Sequence, residues 1–571
     1  MPKKKVEKAG KESLDEKKIE AYALANALAH NGKAQASAVL PKLFQEGLKK
    51  EDIKKVMPLI QKIVKEVNSM KLEEQQKLFL GFEKLVKKRE EREGLPPLPN
   101  AQQGKVVMRF APFPSGPLHI GNAKPAILND EYCKMYKGKL LLVIDDTIGS
   151  EEKTIAKEAY NLIPESLKWL QVKYALPIIY KSDRLNVYYS YAEQLIRKKK
   201  AYVCFCDSET LHKNREQGKE CEHRKYDLIK NLEEWNNMLD YDYKPGQATL
   251  RIKTDMKHKN PAFRDRVLFR ITDREHPKTG KRYRVWPMLE FSWAIDDHLL
   301  GVTHILRGKD LMMESEMEKY IWDIFGWKAP ELIHSGIVTV KGAKISKSKS
   351  AKEVLDGVYR GWDDPRTWSL QSLARRGIRP EALRTFFLSL GLTQTEATVP
   401  VENLYKENKK FVEQSNRYFF VPNPVKIKVK SAPRMKAKVP LHPDHVERGY
   451  RDFDTFEDFY IQKRDYEEIE KNRKKNYRFM HLFNFVKSDY FEFISKEYDE
   501  KLAAKLIHWL PCIKELVKTE VVMPDGTIVE GLAEPMVREL KIDDICQFER
   551  FGFVRCDSKT KDKMVFWFAH G

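Results

Sequence analysis

The chain has 571 residues, 42% of them hydrophobic, which is enough for roughly three to five domains with proper cores. A formal net charge of +21 favours a polyanionic partner, without separating RNA from DNA. Seven cysteines, an odd number, argue against a disulfide-stabilised secreted protein and favour a cytoplasmic one. No apolar run approaches the ~18 residues of a membrane helix, and a hydrophobic signal core is absent. The basic residues 2–6 are interpreted as a solvated tail, with a nuclear signal as the alternative.

Residues 1–93 predict an N-terminal all-α domain, because apolar residues recur three and four positions apart. Its predicted apolar faces contain Ala23, Leu24, Ala27, Leu28, Val39, Leu40, Leu43, Phe44, Leu59, Ile60, Ile63 and Val64. Residues 94–104, which begin with a proline-rich stretch, predict a stiff linker.

Residues 105–199 begin with a strand, helix, strand pattern. A buried strand is predicted at 106–110, a helix from Gly121 to about residue 137, and a second buried strand at 140–144. His119 stands where the helix begins, and helix N-termini favour phosphate. In doubly wound sheets, ligands bind at the carboxyl ends of the strands, where this turn is expected. The alternative is an ordinary proline-rich loop with a chance histidine.

Residues 200–298 predict an α+β insertion that carries a possible metal site. Its Cys-x-Cys and Cys-x-His pairs consist of Cys204, Cys206, Cys221 and His223. Residues two apart in a strand point to the same side, so each pair would offer two ligands. Three thiolates and an imidazole suit tetrahedral Zn²⁺. The alternative is a set of unpaired cytosolic thiols.

Residues 299–350 return to the sheet and end in a lysine loop. An apolar run at 337–340 predicts a strand that leads into the loop. Lys344, Ser346 and Lys347 lie in the loop, where mobile ammonium groups can gather around a polyphosphate. The alternative is a solvated basic loop.

Residues 351–418 are predicted to be mainly helical and basic, and residues 419–571 consist of short alternating runs. The Asp525-Gly526 pair is a hairpin signal between two such runs. The C-terminal region therefore predicts antiparallel β-barrels.

The segments 109–122 and 344–348 together resemble the two ATP-handling signatures of class I aminoacyl-tRNA synthetases. Residues 105–571 resemble the glutamyl- and glutaminyl-tRNA synthetases, and the glutamyl branch in particular over 296–310. Other segments that carry the resemblance are 145–147, 286–291, 362–366, 375–378, 442–451 and 547–552. The last two resemble the barrel anticodon domain of the archaeal and eukaryotic type.

The resemblance implies an α/β fold, a Rossmann-like class I catalytic domain with an α+β insertion. It implies that 105–199 and 299–350 are the two halves of this domain and that 200–298 binds the acceptor stem. It also implies stem contacts at 351–418 and anticodon binding at 419–571.

The resemblance also assigns roles to single residues. It implies that ATP is bound by Pro112, His119, Gly121, Asn122, Lys344, Ser346 and Lys347. Among these, catalysis is assigned to His119, Asn122, Lys344 and Lys347. Glutamate is assigned to Arg109, Asp145, Leu289 and Arg307. Some family members carry zinc in the insertion, which agrees with the position of the cysteine pairs.

Arg307 favours glutamate over glutamine, because a guanidinium fork matches a carboxylate. A surface ion pair of Arg307 with Asp310 is the alternative. Three residues depart from the family pattern: Asn122 replaces a histidine, Val143 a basic residue and Leu289 a tyrosine. The hydrogen bond of that tyrosine is expected to come from elsewhere, such as Trp286 or a water.

The implied reaction is the ATP-dependent ligation of L-glutamate to tRNA-Glu through glutamyl-adenylate, with release of pyrophosphate and AMP. The implied cofactors are ATP with Mg²⁺ and a structural Zn²⁺, and the protein is expected to be a cytoplasmic monomer. Whether tRNA-Gln is also a substrate stays open. The alternatives are a glutaminyl enzyme and a non-catalytic tRNA-binding paralogue. The C-terminal barrels argue against a short tRNA-modifying relative.

Overall fold

The computed structural model describes residues 16–45, 48, 50–86, 94–151, 154–343, 347–502 and 504–571. The chain divides into two compact units, residues 1–93 and 94–571. Within the described ranges, every helix is too short or too polar to cross a membrane.

The first unit consists of helices, as predicted. They are α1 (Glu16–Ala29), α2 (Ala36–Gln45), α3 (Ile53–Ser69) and α4 (Leu72–Phe82). Val39 and Leu43 are buried in their shared core, whereas Phe44 on the same predicted face is 37% exposed. Buried Gln75 donates from Nε2 to the carbonyls of Gly32 and Val67, so one polar side chain ties together three segments of the bundle.

The second unit opens with alternating strands and helices. They are β1 (Val107–Phe110), α5 (Ile120–Met135), β2 (Lys139–Ile144), α6 (Ala159–Trp169), β3 (Ala175–Tyr180) and α7 (Leu185–Arg197). β1, β2 and β3 pair in parallel in that order, which confirms the predicted strand, helix, strand unit. β2 is an almost uninterrupted apolar strand because both faces of this sheet are covered.

The insertion builds a separate antiparallel sheet. Its elements are β4 (Ala201–Cys204), α8 (Ser208–Gln217), α9 (Leu228–Leu239), β5 (Thr249–Ile252), β6 (Val267–Ile271) and β7 (Val285–Pro287). The four strands pair in the order β4, β5, β6, β7. Trp235 of α9 packs edge-on against Phe269 of β6, which anchors the helix to the sheet.

The chain then returns to the first sheet through α10 (Leu289–Leu299), β8 (His304–Gly308), α11 (Met312–Phe325), β9 (Glu331–Ser335), β10 (Val338–Lys341) and α12 (Lys347–Leu355). The N–H of Thr303 donates to the Val107 carbonyl over 2.9 Å, which places β8 beside β1. β8 and β9 pair in parallel. The carboxyl ends of β1, β2 and β8 therefore meet at one edge.

A helical segment follows, comprising α13 (Leu370–Arg376), α14 (Pro380–Leu390), β11 (Ala397–Pro400) and α15 (Val401–Val412). β11 pairs in parallel with β10, the strand that precedes the lysine loop. The N–H of Ile120 donates to the carbonyl of Trp368, so this segment also contacts the first turn of α5.

The C-terminal region consists of two seven-stranded sheets and the ribbon β15–β16. Its elements are β12 (Arg417–Tyr418), β13 (Phe420–Pro422), β14 (Pro424–Lys430), β15 (Met435–Pro440), β16 (Tyr450–Thr455), β17 (Asp458–Gln462), α16 (Lys463–Lys471), β18 (Asn476–Phe479), β19 (Asn484–Lys487), β20 (Phe491–Ser495), β21 (Lys505–Ile507), β22 (Leu510–Pro511), β23 (Val517–Val522), β24 (Ile528–Ala533), β25 (Ile545–Phe548), β26 (Gly552–Lys559) and β27 (Lys563–His570).

The pairing in these sheets is mainly antiparallel, as predicted. Asp525 and Gly526 lie in the turn of the β23–β24 hairpin, where Gly526 has a φ of +86°. Four pairs are nevertheless parallel: β12 with β25, β14 with β20, β18 with β21 and β23 with β27. These strands are separated by intervening elements, so local alternation did not reveal their direction.

Candidate active site and metal cluster

His119 caps α5 from the position before its first residue. Its Nδ1 accepts a hydrogen bond from the N–H of Gly121 over 3.0 Å. Asn122 completes the cap, because its Oδ1 accepts from the N–H of His119 over 3.3 Å. This reciprocal pair satisfies two N–H groups that a helix leaves unpaired at its start. The Asn122 departure therefore preserves an acceptor that the local fold uses.

Gly116 lets the signature loop approach a tryptophan closely. It has a φ of +147°, and a Cβ at this position would lie 2.8 Å from a ring carbon of Trp362. The Trp362 indole N–H in turn donates to Glu158 over 2.9 Å. Any side chain at residue 116 would both strain the backbone and displace the ring.

A cavity of about 740 Å³ opens at the carboxyl ends of β1, β2 and β8. The cavity is lined by seven of the site residues predicted from the sequence. They are Arg109, Pro112, His119, Asn122, Asp145, Leu289 and Arg307. Gly121 lies behind the helix cap, where its N–H is bonded to His119. Distant parts of the chain thus meet where parallel sheets bind ligands.

Arg109 is buried against the carboxylate of Asp297, a residue of the 296–310 segment for which the sequence predicted no role. Its Nη2 donates to Oδ2 of Asp297 over 2.9 Å, and its Nε donates to the other carboxylate oxygen. Asp297 is fully buried on α10. This bidentate contact fixes the plane of the guanidinium.

Arg307 forms a second buried pair, with Glu318 on α11. Its Nη1 donates to Glu318 Oε1 over 2.8 Å, and its Nη2 donates to Oε2. Burial raises the pKa of the Glu318 carboxyl above its usual range, although the guanidinium opposes this shift. The surface ion pair with Asp310 is therefore wrong, since Arg307 is only 4% exposed and is bonded to Glu318. Its Nε has no hydrogen-bond partner among the residues that the structure describes.

Asp145 lies between the cavity and a buried lysine. Its Oδ1 accepts from the Thr147 hydroxyl over 3.1 Å. Lys181 Nζ forms an ion pair with its Oδ2 at 3.3 Å, and within the described ranges Oδ2 accepts no hydrogen bond. Lys181 instead donates to the hydroxyl of Ser292 over 2.8 Å. Burial lowers the pKa of the Lys181 ammonium.

Asp146, the second acid of the motif, anchors the sheet edge. It accepts hydrogen bonds from the backbone N–H and the hydroxyl of Ser182 at 2.8 and 2.7 Å, and from the Tyr160 hydroxyl at 2.9 Å. Burial raises its pKa, while these donors oppose the rise. The two adjacent acids therefore differ, because Asp145 lines the cavity and Asp146 holds the scaffold.

Trp293 was missed by sequence reasoning, although it lies one helical turn from Leu289. Both residues line the cavity. Trp286, which was considered as a substitute donor, is wrong for that role, because its indole N–H donates to the Tyr283 carbonyl over 3.1 Å. The ring of Trp286 stacks on His276 instead.

The lysine loop lies partly outside the described residues. This holds for Lys344 and Ser346, and for the side chain of Lys347, whose backbone begins α12. Ala351 and Lys352 of α12 line the cavity. The residues that follow the loop therefore border the same space as His119.

The predicted metal ligands form a compact cluster. The four ligand atoms of Cys204, Cys206, Cys221 and His223 all lie within 4.8 Å of one another. The sulfurs of Cys204 and Cys221 are 3.8 Å apart, and His223 Nδ1 lies 3.8 Å from Cys204 and 3.6 Å from Cys206. A tetrahedral Zn²⁺ with Zn–S bonds of about 2.3 Å has ligand edges of about 3.8 Å. The residues therefore fit this ion.

The local structure of this cluster differs from the prediction in one respect. β4 ends at Cys204, so Cys206 lies beyond the strand, and Cys221 and His223 lie at a 3-10 turn, Glu222–Lys225. The tight turn brings the two ligands to one side. Arg251 donates to the sulfur of Cys204 over 3.4 Å. Hydrogen bonding, chiefly from Cys204, lowers the pKa of the Cys221 thiol, whereas the same contact and burial raise the pKa of the Cys204 thiol.

A parallel sheet, a capped helix start and a cavity across the strand ends are the parts expected of a class I synthetase catalytic domain. The family described as tRNA synthetases class I (E and Q), catalytic domain, matches residues 105–415. Two anti-codon binding domains of the same family match residues 415–499 and 506–557. The chain belongs to this family.

Relatives match along nearly the whole chain. A glutamate–tRNA ligase of Pyrococcus furiosus is 44% identical over 573 residues, covering 96% of this chain and 98% of that protein. That of Methanocaldococcus jannaschii is 43% identical, covering 97% of this chain and 100% of that protein. The glutamate–tRNA ligase of Thermococcus kodakarensis is 43% identical, covering 96% of this chain and 98% of that protein. These matches include both compact units.

Proposed function

We propose that this chain is a glutamate–tRNA ligase that joins L-glutamate to tRNA-Glu. The observation that carries the substrate assignment is a pair of buried atoms at one cavity, Oδ2 of Asp145 and Nε of Arg307. Each lacks a hydrogen bond to any residue that the structure describes. Buried polar groups are normally bonded, so the Arg307 donor and the Asp145 acceptor, which is ion-paired with Lys181 at 3.3 Å, can each take a hydrogen-bonding partner from a ligand. An amino acid with an ammonium group and a side-chain carboxylate supplies both.

In this proposal the site aligns reactants and stabilises charge. The α-carboxylate of glutamate forms a bond to the α-phosphorus of ATP, and the bond to pyrophosphate breaks. The 2′-hydroxyl of the terminal tRNA ribose then takes the glutamyl group, and AMP leaves. The protein contributes no covalent nucleophile, so positioning and electrostatic stabilisation supply the rate.

The chain's own residues divide this work. Arg109 and Asp145 orient the amino acid, Leu289 lines its pocket, and Arg307 binds the side-chain carboxylate. Pro112, His119, Gly121 and Asn122 form the start of α5, whose dipole favours phosphate. Lys344, Ser346 and Lys347 would bind the phosphates, and Mg²⁺ would enter with ATP and help to neutralise the phosphate charge.

The remaining regions bind the tRNA in this proposal. Residues 200–298 contact the acceptor stem, and residues 351–418 make further contacts to the tRNA stem. Residues 419–571 bind the anticodon loop, whose unstacked bases can be recognised at their edges. Cys204, Cys206, Cys221 and His223 would hold a Zn²⁺ as a closed structural site. We propose a cytoplasmic location, because the seven free cysteines favour a reducing compartment, and a monomeric enzyme.

Aminoacylation with glutamate and with glutamine, each on tRNA-Glu and tRNA-Gln transcripts, tests this function. Transfer of glutamate to tRNA-Glu is expected. Additional transfer to tRNA-Gln would make the enzyme non-discriminating. Transfer of glutamine instead would contradict the role of Arg307, and absence of any transfer would favour a non-catalytic tRNA-binding protein.

Replacing Lys347 by alanine separates an enzyme from a scaffold. Loss of one ammonium group that stabilises the transition state is expected to lower kcat roughly a hundred- to a thousandfold. The Kd for tRNA, measured by filter binding, should change less than about twofold. Lys349→Ala is the matched control, because Lys349 lies in the same basic segment with its side chain 69% exposed. Equal losses of kcat in both variants would show that the loop contributes only general positive charge.

A further inference from the structure

Leu289 leaves the amino-acid pocket without a hydroxyl donor, and one helical turn away Trp293 offers a different one. Positions i and i+4 lie on the same face of a helix, and both of these side chains line the cavity. The Trp293 side chain is 6% exposed, and its indole Nε1 has no hydrogen-bond partner in the described parts of the chain. A buried indole N–H usually finds a partner, so this N–H is a donor still available at the wall of the cavity.

The face of the same ring contacts three cations. The guanidinium carbons of Arg109 and Arg307 lie 4.5 and 5.0 Å from the ring centroid, and Lys181 Nζ lies 5.1 Å from it. All three cations are buried. Cation–π attraction is strongest for tryptophan and for desolvated cations. The ring therefore helps to fix both guanidiniums that the proposed function assigns to glutamate.

The neighbouring polar groups on β7 and at the start of α10 already have partners. The Trp286 N–H is bonded to the Tyr283 carbonyl. The Ser292 hydroxyl donates to the Leu289 carbonyl over 3.1 Å and accepts from Lys181. Trp293 is left as the donor closest along the helix to residue 289.

We propose that Trp293 is a specificity-determining residue of this site. Its ring face positions Arg109 and Arg307, and its N–H donates to the side-chain carboxylate of glutamate in place of the hydroxyl absent at Leu289. This inference rests on the proposed function. In this proposal Arg307 Nε and Trp293 Nε1 each donate to one oxygen of the carboxylate. Glutamine presents one oxygen and one NH₂ group, so one donor would face another donor.

Trp293→Phe tests the N–H alone, because phenylalanine keeps an aromatic face. Steady-state aminoacylation with varied glutamate, at saturating ATP and tRNA, should show a KM for glutamate roughly ten- to a hundredfold higher, as expected for a lost hydrogen bond to a charged group. The preference for glutamate over glutamine should fall by a similar factor. Trp293→Leu, which also removes the face, should raise the KM further.

Trp322→Phe is the matched control. Trp322 is buried on α11, and its indole N–H donates to the Ala294 carbonyl over 2.9 Å, outside the cavity lining. The KM of the Trp322→Phe variant for glutamate should stay within about threefold of the wild-type value. Adding Leu289→Tyr to Trp293→Phe restores a hydroxyl and should recover at least about fivefold of the lost affinity.

Three results would overturn the inference. They are a KM in Trp293→Phe within about twofold of wild type, an equal rise in Trp322→Phe, and an equal rise in the KM for ATP, which would indicate general damage to the fold. Wild-type protein is assayed in parallel. If wild type transfers no glutamate, the proposed function itself fails, whereas an active wild type with an unaltered Trp293→Phe refutes only the role of Trp293.

Discussion

Replacing Arg307 by glutamine is expected to lower kcat/KM for glutamate by roughly thirtyfold to several thousandfold. This range corresponds to about 2–5 kcal/mol, the usual cost of truncating one partner of a buried, hydrogen-bonded charge pair. Glu318 would keep its buried carboxylate without the guanidinium that now donates to both of its oxygens. The side-chain carboxylate of the substrate would lose its charged partner at the same time. Steady-state aminoacylation with varied glutamate measures the change.

The same substitution should lower kcat/KM for glutamine less than kcat/KM for glutamate, because the glutamine side chain is neutral. The ratio of the two kcat/KM values should therefore move toward glutamine. Arg451→Gln is the control for loss of a buried arginine, since Arg451 bonds to buried Glu534 in the C-terminal region over 2.8 Å. That variant should leave the KM for glutamate unchanged. An unchanged ratio in Arg307→Gln would contradict recognition of the carboxylate by this residue.

Replacing Cys221 by serine is expected to remove one equivalent of zinc and to destabilise the insertion. Wild-type protein purified without chelator should contain about one Zn²⁺ per chain by elemental analysis. The Cys221 sulfur lies 3.8 Å from that of Cys204, which is much longer than the ~2.05 Å of a disulfide and close to an edge of a zinc tetrahedron. Because binding energy of a structural metal is folding energy, its loss should lower the thermal midpoint.

Cobalt substitution gives this experiment a second readout. Tetrahedral Co²⁺ bound by thiolates absorbs in the visible range, and the absorption should be present in wild type and absent in Cys221→Ser. Cys512→Ser is the matched control, because Cys512 is partly buried and lies outside the cluster. Equal metal content in wild type and Cys221→Ser would show that the four side chains are an ordinary group of reduced thiols with a histidine.

The sequence by itself determined those features that depend on neighbouring residues. The apolar runs around residue 108 and residue 142 form parallel strands, and the helix between them begins after His119, as its turn residues required. The Asp525-Gly526 pair marked a hairpin because a positive φ is easy for glycine. Ligand types and spacing were sufficient to predict that four metal-binding side chains would come together.

Only the tertiary structure decided which charges are paired across distant elements. Asp297 is 188 residues from Arg109, and a glutamate on a helix such as Glu318 reads in the sequence as a surface residue. From the sequence alone, Trp293 is predicted to be an ordinary core residue. Packing places these groups around one cavity, where low dielectric makes each charge depend on its partner. Periodicity records which face of an element is buried, but not which element covers it.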